Sequence, residues 1–159
     1  MIRTIVCLAA LALTLGCGQR AGNPAVSRDL YPGETAELRA LINEYAAFHD
    51  IPPALLHRVI QRESDYRVDA RNGPYYGLMQ ILPQTAATMG HDQPPSSLLD
   101  PEVNLRYAGA YLRGAWLVSD GDIDKAVGWY ASGYYYEARD RCLLVETGLR
   151  ASEVRRGCA

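Results

Sequence analysis

Apolar residues recur at helical spacing through most of this 159-residue chain, and proline or glycine marks where the periodic segments start and stop. In the segment from Glu34 to His49, the apolar residues at this spacing are Leu38, Leu41, Ile42, Tyr45 and Phe48. No run of useful length alternates apolar with polar residues, as a half-buried strand would. The pattern predicts an all-α, or mainly α, fold with little or no β-sheet.

Turn and capping residues predict where the helices lie. The expected helices cover residues 34–49, 53–64, 101–118, 123–131 and 134–145, with a short one between Pro83 and Gly90. Pro53 suits the first turn of its helix, and Asp100-Pro101-Glu102 supplies a cap, a first-position proline and an early carboxylate. Residues 65–76 are predicted to be irregular because they end in the turn sequence Asn72-Gly73-Pro74.

The first residues of the chain are typical of an export signal. Arg3 precedes the apolar run 5–15, which is too short to span a bilayer as a helix. The sequence LTLGC, which ends at Cys17, resembles the lipobox of bacterial lipoproteins, although the residues two and three places before Cys17 depart from the usual pattern. We expect a signal peptide at residues 1–16 and lipidation at Cys17. Secretion without a lipid is the alternative.

The rest of the chain is predicted to divide into a polar linker at residues 17–30 and a folded domain at residues 31–159. Sixteen Lys and Arg against eighteen Asp and Glu give a net charge of −2. Nucleic acid is therefore not expected as a partner, since its binding depends on clustered basic residues. We expect a periplasmic monomer, anchored at the outer membrane if Cys17 carries a lipid, with that lipid as its sole contact with a membrane.

Two cysteines, Cys142 and Cys158, fall in the predicted domain. An even pair in a chain that has left the cytosol favours a disulfide. The bond would close a loop of about 15 residues, which is worth on the order of 3 kcal/mol in the chain-entropy account. We expect a disulfide-clipped C-terminal tail, with two unpaired thiols as the alternative.

A carboxylate stands on the apolar face of the second predicted helix. Leu56, Ile60 and Glu63 fall at positions i, i+4 and i+7, so Glu63 shares the face that this helix turns toward the core. Burial beside hydrocarbon and a helix C-terminus both favour the neutral carboxyl, so we expect the pKa of Glu63 to be raised. A carboxyl that is protonated near neutral pH suits a general acid. The alternatives are that Glu63 points into water or pairs with Arg58 or Arg67.

The residues from Glu63 onward resemble a known enzyme domain. Glu63-Ser64 is followed, after a loop, by Gly77-Leu78-Met79-Gln80. Three later segments continue the likeness in order: 99–105, 110–112 and 126–133. Together they resemble the ES, GLMQ and AYNxG motifs, and the intervening helix, of the lytic transglycosylase domain that is related to goose-type lysozyme. The resemblance covers roughly residues 37–136 and implies a lysozyme-like helical fold with a groove for peptidoglycan glycan strands.

The resemblance also implies a reaction. In that family one glutamate, here Glu63, protonates the bond between N-acetylmuramic acid and N-acetylglucosamine, and then helps the muramic acid O6 close a 1,6-anhydro ring. The acetamido group of the substrate supports the positive charge, an exception to the two-carboxylate rule of glycosidases. No cofactor and no metal are implied, and His49, His57 and His91 lack metal-ligand spacing. We expect cell-wall remodelling, or local opening of the wall for an envelope-spanning assembly.

Four more residues take roles by resemblance. Ser64 would hydrogen-bond in the cleft beside the acid, and Met79 and Gln80 would line the saccharide groove. The hydroxyl of Tyr130 would stabilise the charged intermediate near the acid. The alternatives are a Met79 in the core, a solvated Gln80 and a Tyr130 that simply packs.

One position departs from the AYNxG motif, because Ala131 stands where the family has Asn, and Ser132 would replace only part of the missing amide. The loss favours a second hypothesis, a peptidoglycan-binding envelope protein with little turnover. A hydrolytic muramidase, or lysozyme, is a further alternative, and Asp65 and Asp69 are the nearest candidates for its second carboxylate. The tyrosines at 134–136 would either stack on sugars at the groove rim or cover a helix junction.

Overall fold

The computed structural model describes residue 27 and residues 29–158. The predicted signal peptide, the predicted lipidation at Cys17 and nearly all of the predicted linker lie outside the described residues and stay predictions. The helices are α1 (Ala36–Phe48), α2 (Pro53–Glu63), α3 (Pro83–Thr88), α4 (Pro101–Leu117), α5 (Ile123–Ser132) and α6 (Tyr135–Asp140). A 3-10 helix at Pro95–Leu99 and the strands β1 (Arg71–Asn72) and β2 (Tyr75–Tyr76) complete the elements. The mainly α fold class is confirmed.

Side-chain caps start three of the helices. Asp100 accepts hydrogen bonds from two backbone N–H groups in the first turn of α4, as its sequence predicts. Thr35 accepts from the N–H of Leu38 at 3.2 Å and begins α1, and Asp122 accepts from the N–H of Lys125 at 3.0 Å and begins α5. Each cap satisfies an N–H group that has no partner inside the helix, which determines where the helix starts.

The core forms around α4, which packs against α1, α3, α5 and the 3-10 helix. The helix α2 packs against α1 and α5. Fully buried side chains of the core include Ile42, Leu55, Leu56, Ile60, Leu78, Leu98, Leu105 and Leu112. Burial of one such side chain contributes about 1.5–3 kcal/mol to folding, so these core contacts stabilise the packing of the helices. None of the described helices is long and apolar enough to cross a membrane.

Two expectations about local structure are wrong. The helix predicted over 134–145 ends at Asp140, because Cys142 has a left-handed φ of 57° that an α-helix does not allow. The segment 65–76, predicted to be irregular, contains the antiparallel hairpin of β1 and β2, in which Asn72 pairs with Tyr75. The 3-10 helix was not predicted either. Hairpin pairing depends on contacts across the turn, which apolar periodicity does not report.

The C-terminal tail beyond α6 is tied back to the helices. Cys142 and Cys158 are joined in a disulfide with their Cα atoms 5.4 Å apart, as the sequence predicts. Arg141 pairs with Asp120 in the turn between α4 and α5, and Arg155 donates to the carbonyl of Asp140. These contacts stabilise a tail that otherwise has few regular hydrogen bonds.

Candidate active site

Glu63 is the last residue of α2, and the chain reverses direction immediately after it. The N–H groups of Ser64 and Asp65 both donate to the carbonyl of Ile60, at 3.0 and 3.1 Å, which ends the helix. Asp65 and Tyr66 then adopt left-handed φ angles of 54° and 65°. The reversal leaves the Glu63 side chain at the end of the apolar stripe, as its spacing predicts.

The carboxyl of Glu63 is half-buried, with 23% of its side chain exposed. Burial raises its pKa above the ordinary value, and the guanidinium of Arg62, with Nε 3.6 Å from Oε1, opposes that shift in part. The alternative pairings are not formed, since Arg58 pairs with Asp124 at 2.8 Å and Arg67 donates to the carbonyl of Ser64 at 3.0 Å. The environment of Glu63 thus favours the protonated carboxyl that a general acid requires.

Asn104 holds the loop that carries Gly77 to Gln80. The Oδ1 atom of Asn104 accepts from the N–H of Met79 at 3.0 Å, and its Nδ2 donates to the carbonyls of Tyr76 and Leu98 at 2.9 and 2.8 Å. The side chain is fully buried, so its three bonds replace contacts that water would otherwise make. Sequence reasoning missed this residue, although a buried polar residue one turn into an apolar helix face is a signal for such a role.

Gln80 is held at the edge of this loop in a left-handed conformation, with φ of 48°. Its Nε2 donates to the carbonyls of Ala70 and Gly77 at 3.0 and 2.8 Å. Both amide hydrogens are therefore used inside the protein, which leaves Oε1 as the atom that can accept a hydrogen bond from a ligand.

Tyr130 lies near the C-terminal end of α5 and faces the same loop. Its hydroxyl donates to the carbonyl of Met79 at 2.8 Å, and its ring meets the edge of Tyr111 at a centroid distance of 5.5 Å. Burial raises the pKa of Tyr130 well above the ordinary value, and the negative charge of Glu63 raises it further. Tyr130 therefore stays a neutral phenol close to Glu63.

A groove of about 230 Å³ opens beside Tyr130. Its walls come from the hairpin, from the loop before α3, and from α3, α4 and α5. The lining residues are Tyr75, Gln80, Ile81, Leu82, Thr85, Tyr111, Tyr130, Ala131, Ser132 and Gly133. Among the described residues, no Asp or Glu lines this groove, and no group of three or more His, Cys, Asp or Glu is placed to hold a metal ion. The described lining of the groove is thus a mixed aromatic and polar surface without a carboxylate.

A family model described as Transglycosylase SLT domain matches residues 40–140. The chain belongs to the transglycosylase SLT domain family. No solved structure is a significant match to it. An SLT domain supports lytic transglycosylase-type activity that cleaves peptidoglycan, so peptidoglycan is the general substrate class of this chain. The match spans α2, the loop from Gly77 to Gln80 and the groove, so the site described above lies within the family domain.

Two of the residues that the sequence singles out, Gln80 and Tyr130, line the groove of the SLT domain. Glu63 is not among the lining residues, and its negative charge contributes to the raised pKa of Tyr130. The side chain of Met79 is fully buried in the core, so its backbone carbonyl, rather than its thioether, supports the site. Ser64 is 2% exposed and does not line the groove, and its hydroxyl donates to the carbonyl of Ile60 at 3.4 Å rather than to a ligand.

In this SLT domain, Tyr134, Tyr135 and Tyr136 do not form one surface. Tyr134 is buried and its hydroxyl donates to the carbonyl of Tyr111 at 2.8 Å, so it packs at a helix junction. Tyr136 is exposed, and neither it nor Tyr135 lines the groove. Tyr75 and Tyr111, which do line it, were missed because the hairpin and the long helix bring them there from distant parts of the chain.

The departure from the family motif lies on the groove wall. Ala131 lines the groove with an exposed methyl group where the family has an amide. The hydroxyl of Ser132 donates to the carbonyl of Gly128 at 2.9 Å, so it bonds within its own helix. Asp65 and Asp69 are exposed on the loop after α2 and are absent from the lining. The wall at Ala131 is therefore less polar than the family pattern predicts.

Proposed function

We propose that this SLT domain is a lytic transglycosylase that cleaves the β-1,4 bond from N-acetylmuramic acid to N-acetylglucosamine, with Glu63 as both acid and base. The observation that carries the proposal is the half-buried Glu63 with its raised pKa, together with a groove whose described lining has no Asp or Glu. No described lining residue is therefore a candidate for the base that activates water in a hydrolase. A single carboxyl group is enough for the intramolecular ring closure. Such an enzyme would remodel the cell wall or open it locally.

The first step is proton transfer from the carboxyl of Glu63 to the glycosidic oxygen. The bond between that oxygen and the anomeric carbon of muramic acid breaks, and N-acetylglucosamine leaves with the proton. The substrate's acetamido group supports the positive charge that remains on the muramic acid. The Tyr130 hydroxyl donates its hydrogen to the Met79 carbonyl, so the phenol oxygen offers lone pairs to this charge.

The second step closes the product ring. Glu63, now a carboxylate, accepts the proton of the muramic acid O6 hydroxyl, and O6 bonds to the anomeric carbon. Glu63 returns to its protonated form and no water is consumed. The same half-buried position serves both steps, because a raised pKa keeps the carboxyl protonated at higher pH and makes its carboxylate a stronger base.

Purified peptidoglycan digested with the protein is expected to yield muropeptides with 1,6-anhydromuramic ends, identified by mass. Products heavier by one water would instead identify a hydrolytic muramidase. Retained binding to peptidoglycan without any product would identify a binding protein, the function that Ala131 favours. A digest with Glu63→Gln, purified in the same way, controls for contaminating enzymes.

Tyr75 is expected to hold a sugar ring against the groove wall. Tyr75 is 41% exposed while it lines the groove, and in the same hairpin the Arg71 guanidinium lies 3.7 Å from the centroid of the Tyr76 ring. Replacing Tyr75 with Ala should raise KM by about five- to tenfold, which corresponds to about 1 kcal/mol of aromatic contact. Tyr75→Phe should keep most of the affinity. Tyr136→Ala, an exposed tyrosine outside the groove, is the matched control, and an equal KM for both alanine variants would contradict the assignment.

A further inference from the structure

The chain reversal after Glu63 is built from residues that do not favour its backbone conformation. Asp65 and Tyr66 are consecutive non-glycine residues with left-handed φ angles. Such conformations persist where the surrounding structure holds them in place. The contacts that hold Asp65 and Tyr66 therefore also determine how α2 ends at Glu63.

Tyr66 is tied back to α2 through its hydroxyl. The ring of Tyr66 is buried, and its oxygen lies 2.9 Å from Nδ1 of His57, which stands six residues before Glu63 on the same helix. Burial lowers the pKa of His57 to about 4, the negative charge of Glu34 opposes that shift, and the positive charge of Arg39 adds to it. His57 is therefore neutral near pH 7 and forms an uncharged hydrogen bond with Tyr66.

A short segment before α1 covers the reversal from the other side. The Tyr31 ring stacks on the Tyr66 ring, with centroids 5.6 Å apart and planes 12° from parallel. Gly33 lies so close that a Cβ atom there would be 2.9 Å from the carbonyl oxygen of Asp65. The segment therefore contacts both left-handed residues directly.

The same segment is anchored by a buried ion pair. The carboxylate of Glu34 has no exposed side-chain area, pairs with Arg39 and accepts the N–H of Tyr31 at 2.9 Å. Its Oε1 atom lies 3.6 Å from Nδ1 of His57. The bonds to Arg39 and Tyr31 compensate a buried charge, which would otherwise be costly, and Glu34 also lies against His57 of α2.

The segment lies outside the family match, which begins at residue 40. We call Tyr31, Gly33, Glu34, His57 and Tyr66 the N-terminal buttress. We propose that the N-terminal buttress positions the carboxyl of Glu63 by holding the reversed chain that follows it. The inference rests on the proposed function, because it assumes that Glu63 is the catalytic acid. None of the five residues lines the groove, so each acts through Glu63 and is a positioning residue.

The test compares three variants of the full chain with the unaltered protein. Tyr66→Phe removes the hydroxyl that binds His57, and Tyr31→Ala removes the stacked ring, while Tyr31→Phe keeps that ring. The control is Tyr45→Phe, because Tyr45 is a buried tyrosine on α1 whose hydroxyl lies 3.3 Å from the Glu102 carboxylate. Steady-state cleavage of peptidoglycan is measured against pH, and thermal unfolding of each variant is followed by circular dichroism.

We expect Tyr66→Phe and Tyr31→Ala to lower kcat about tenfold while KM changes by no more than about twofold. Tyr31→Phe should restore kcat. A released Glu63 becomes more hydrated and its pKa falls, so the alkaline limb of the kcat profile should move to lower pH. The titratable and charged groups that face Glu63 are Arg62 on its own helix and Tyr130 on α5, and neither is altered.

Two results would overturn the inference. The first is that Tyr66→Phe and Tyr31→Ala match Tyr45→Phe in both kcat and the alkaline limb. The second is that both fail to fold, since the buttress would then serve stability alone. An active Glu63→Gln would instead refute the proposed function, so failure of the two ideas is distinguishable.

Discussion

Replacing Glu63 with Gln is expected to lower kcat for peptidoglycan cleavage by about 10²–10⁴-fold, the range for loss of a general acid or base. Gln keeps the shape of the side chain but has no proton to give to the glycosidic oxygen and no carboxylate to accept one from O6. The measurement is release of anhydro-muropeptides at saturating substrate. KM should change little, because Gln has nearly the same size and shape as Glu and leaves the residues that line the groove unaltered.

Asp65→Asn is the matched control for this loss. Asp65 is two residues from Glu63 and exposed, and Asn tolerates the left-handed φ of 54° that the position requires. We expect Asp65→Asn to keep full activity. A loss comparable with that of Glu63→Gln would indicate a two-carboxylate hydrolase instead.

Thermal unfolding should separate the role of Glu63 in catalysis from any role in folding. Burial raises its pKa in the folded protein, so the folded state holds the proton more tightly than the unfolded state does. The stability that Glu63 contributes is therefore present at low pH and is lost as pH rises through the raised pKa. Glu63→Gln should have a higher Tm than the unaltered protein at pH 7, and a smaller difference at pH 4. A lower Tm at pH 7 would show that activity was lost with the fold.

Replacing Gly77 with Ala is expected to destabilise the domain by more than about 3 kcal/mol, which lowers Tm by about 10 °C. Gly77 has a φ of 71°, and a Cβ atom there would overlap Nδ2 of Asn104 and the carbonyl oxygen of Leu98. Backbone and a fully bonded amide cannot move aside without breaking the three hydrogen bonds of Asn104.

Gly73→Ala is the control for the backbone part of that cost. Gly73 has a similar left-handed φ of 57°, but no heavy atom lies within 4 Å of its added Cβ atom. Its replacement should cost about 1 kcal/mol, the strain of a left-handed alanine alone. Thermal unfolding of both variants measures the difference. Equal losses of Tm would mean that the Asn104 contacts contribute little.

The helices and the placement of Glu63 could be predicted from sequence because both depend on local spacing. Leu56, Ile60 and Glu63 lie on one face of α2 because their spacing along a helix alone places them there. Proline and capping residues likewise act within a turn of their own position, which is why the bounds of α2 and α4 agree with the structure to within about two residues.

The parts that sequence did not reveal depend on residues far apart in the chain. Asn104 reaches Tyr76 across 28 positions, and Tyr130 reaches the Met79 carbonyl across 51. The N-terminal buttress joins Tyr31 to a reversal beyond α2. Met79 shows a related limit of sequence reasoning. The motif identifies the residue, but only its packing shows that the backbone carbonyl, rather than the side chain, supports the site.

The close contact between Gly77 and the Asn104 side chain restricts which residues either position can hold. A larger residue at position 77 overlaps both the Asn104 amide and the Leu98 carbonyl oxygen, and a smaller residue at 104 leaves one N–H and two carbonyl groups without a partner. A substitution at either position alone therefore destabilises the domain. The destabilisation of a double variant is not expected to equal the sum of the two single effects. In an SLT domain built this way, we expect Gly77 and Asn104 to be retained together.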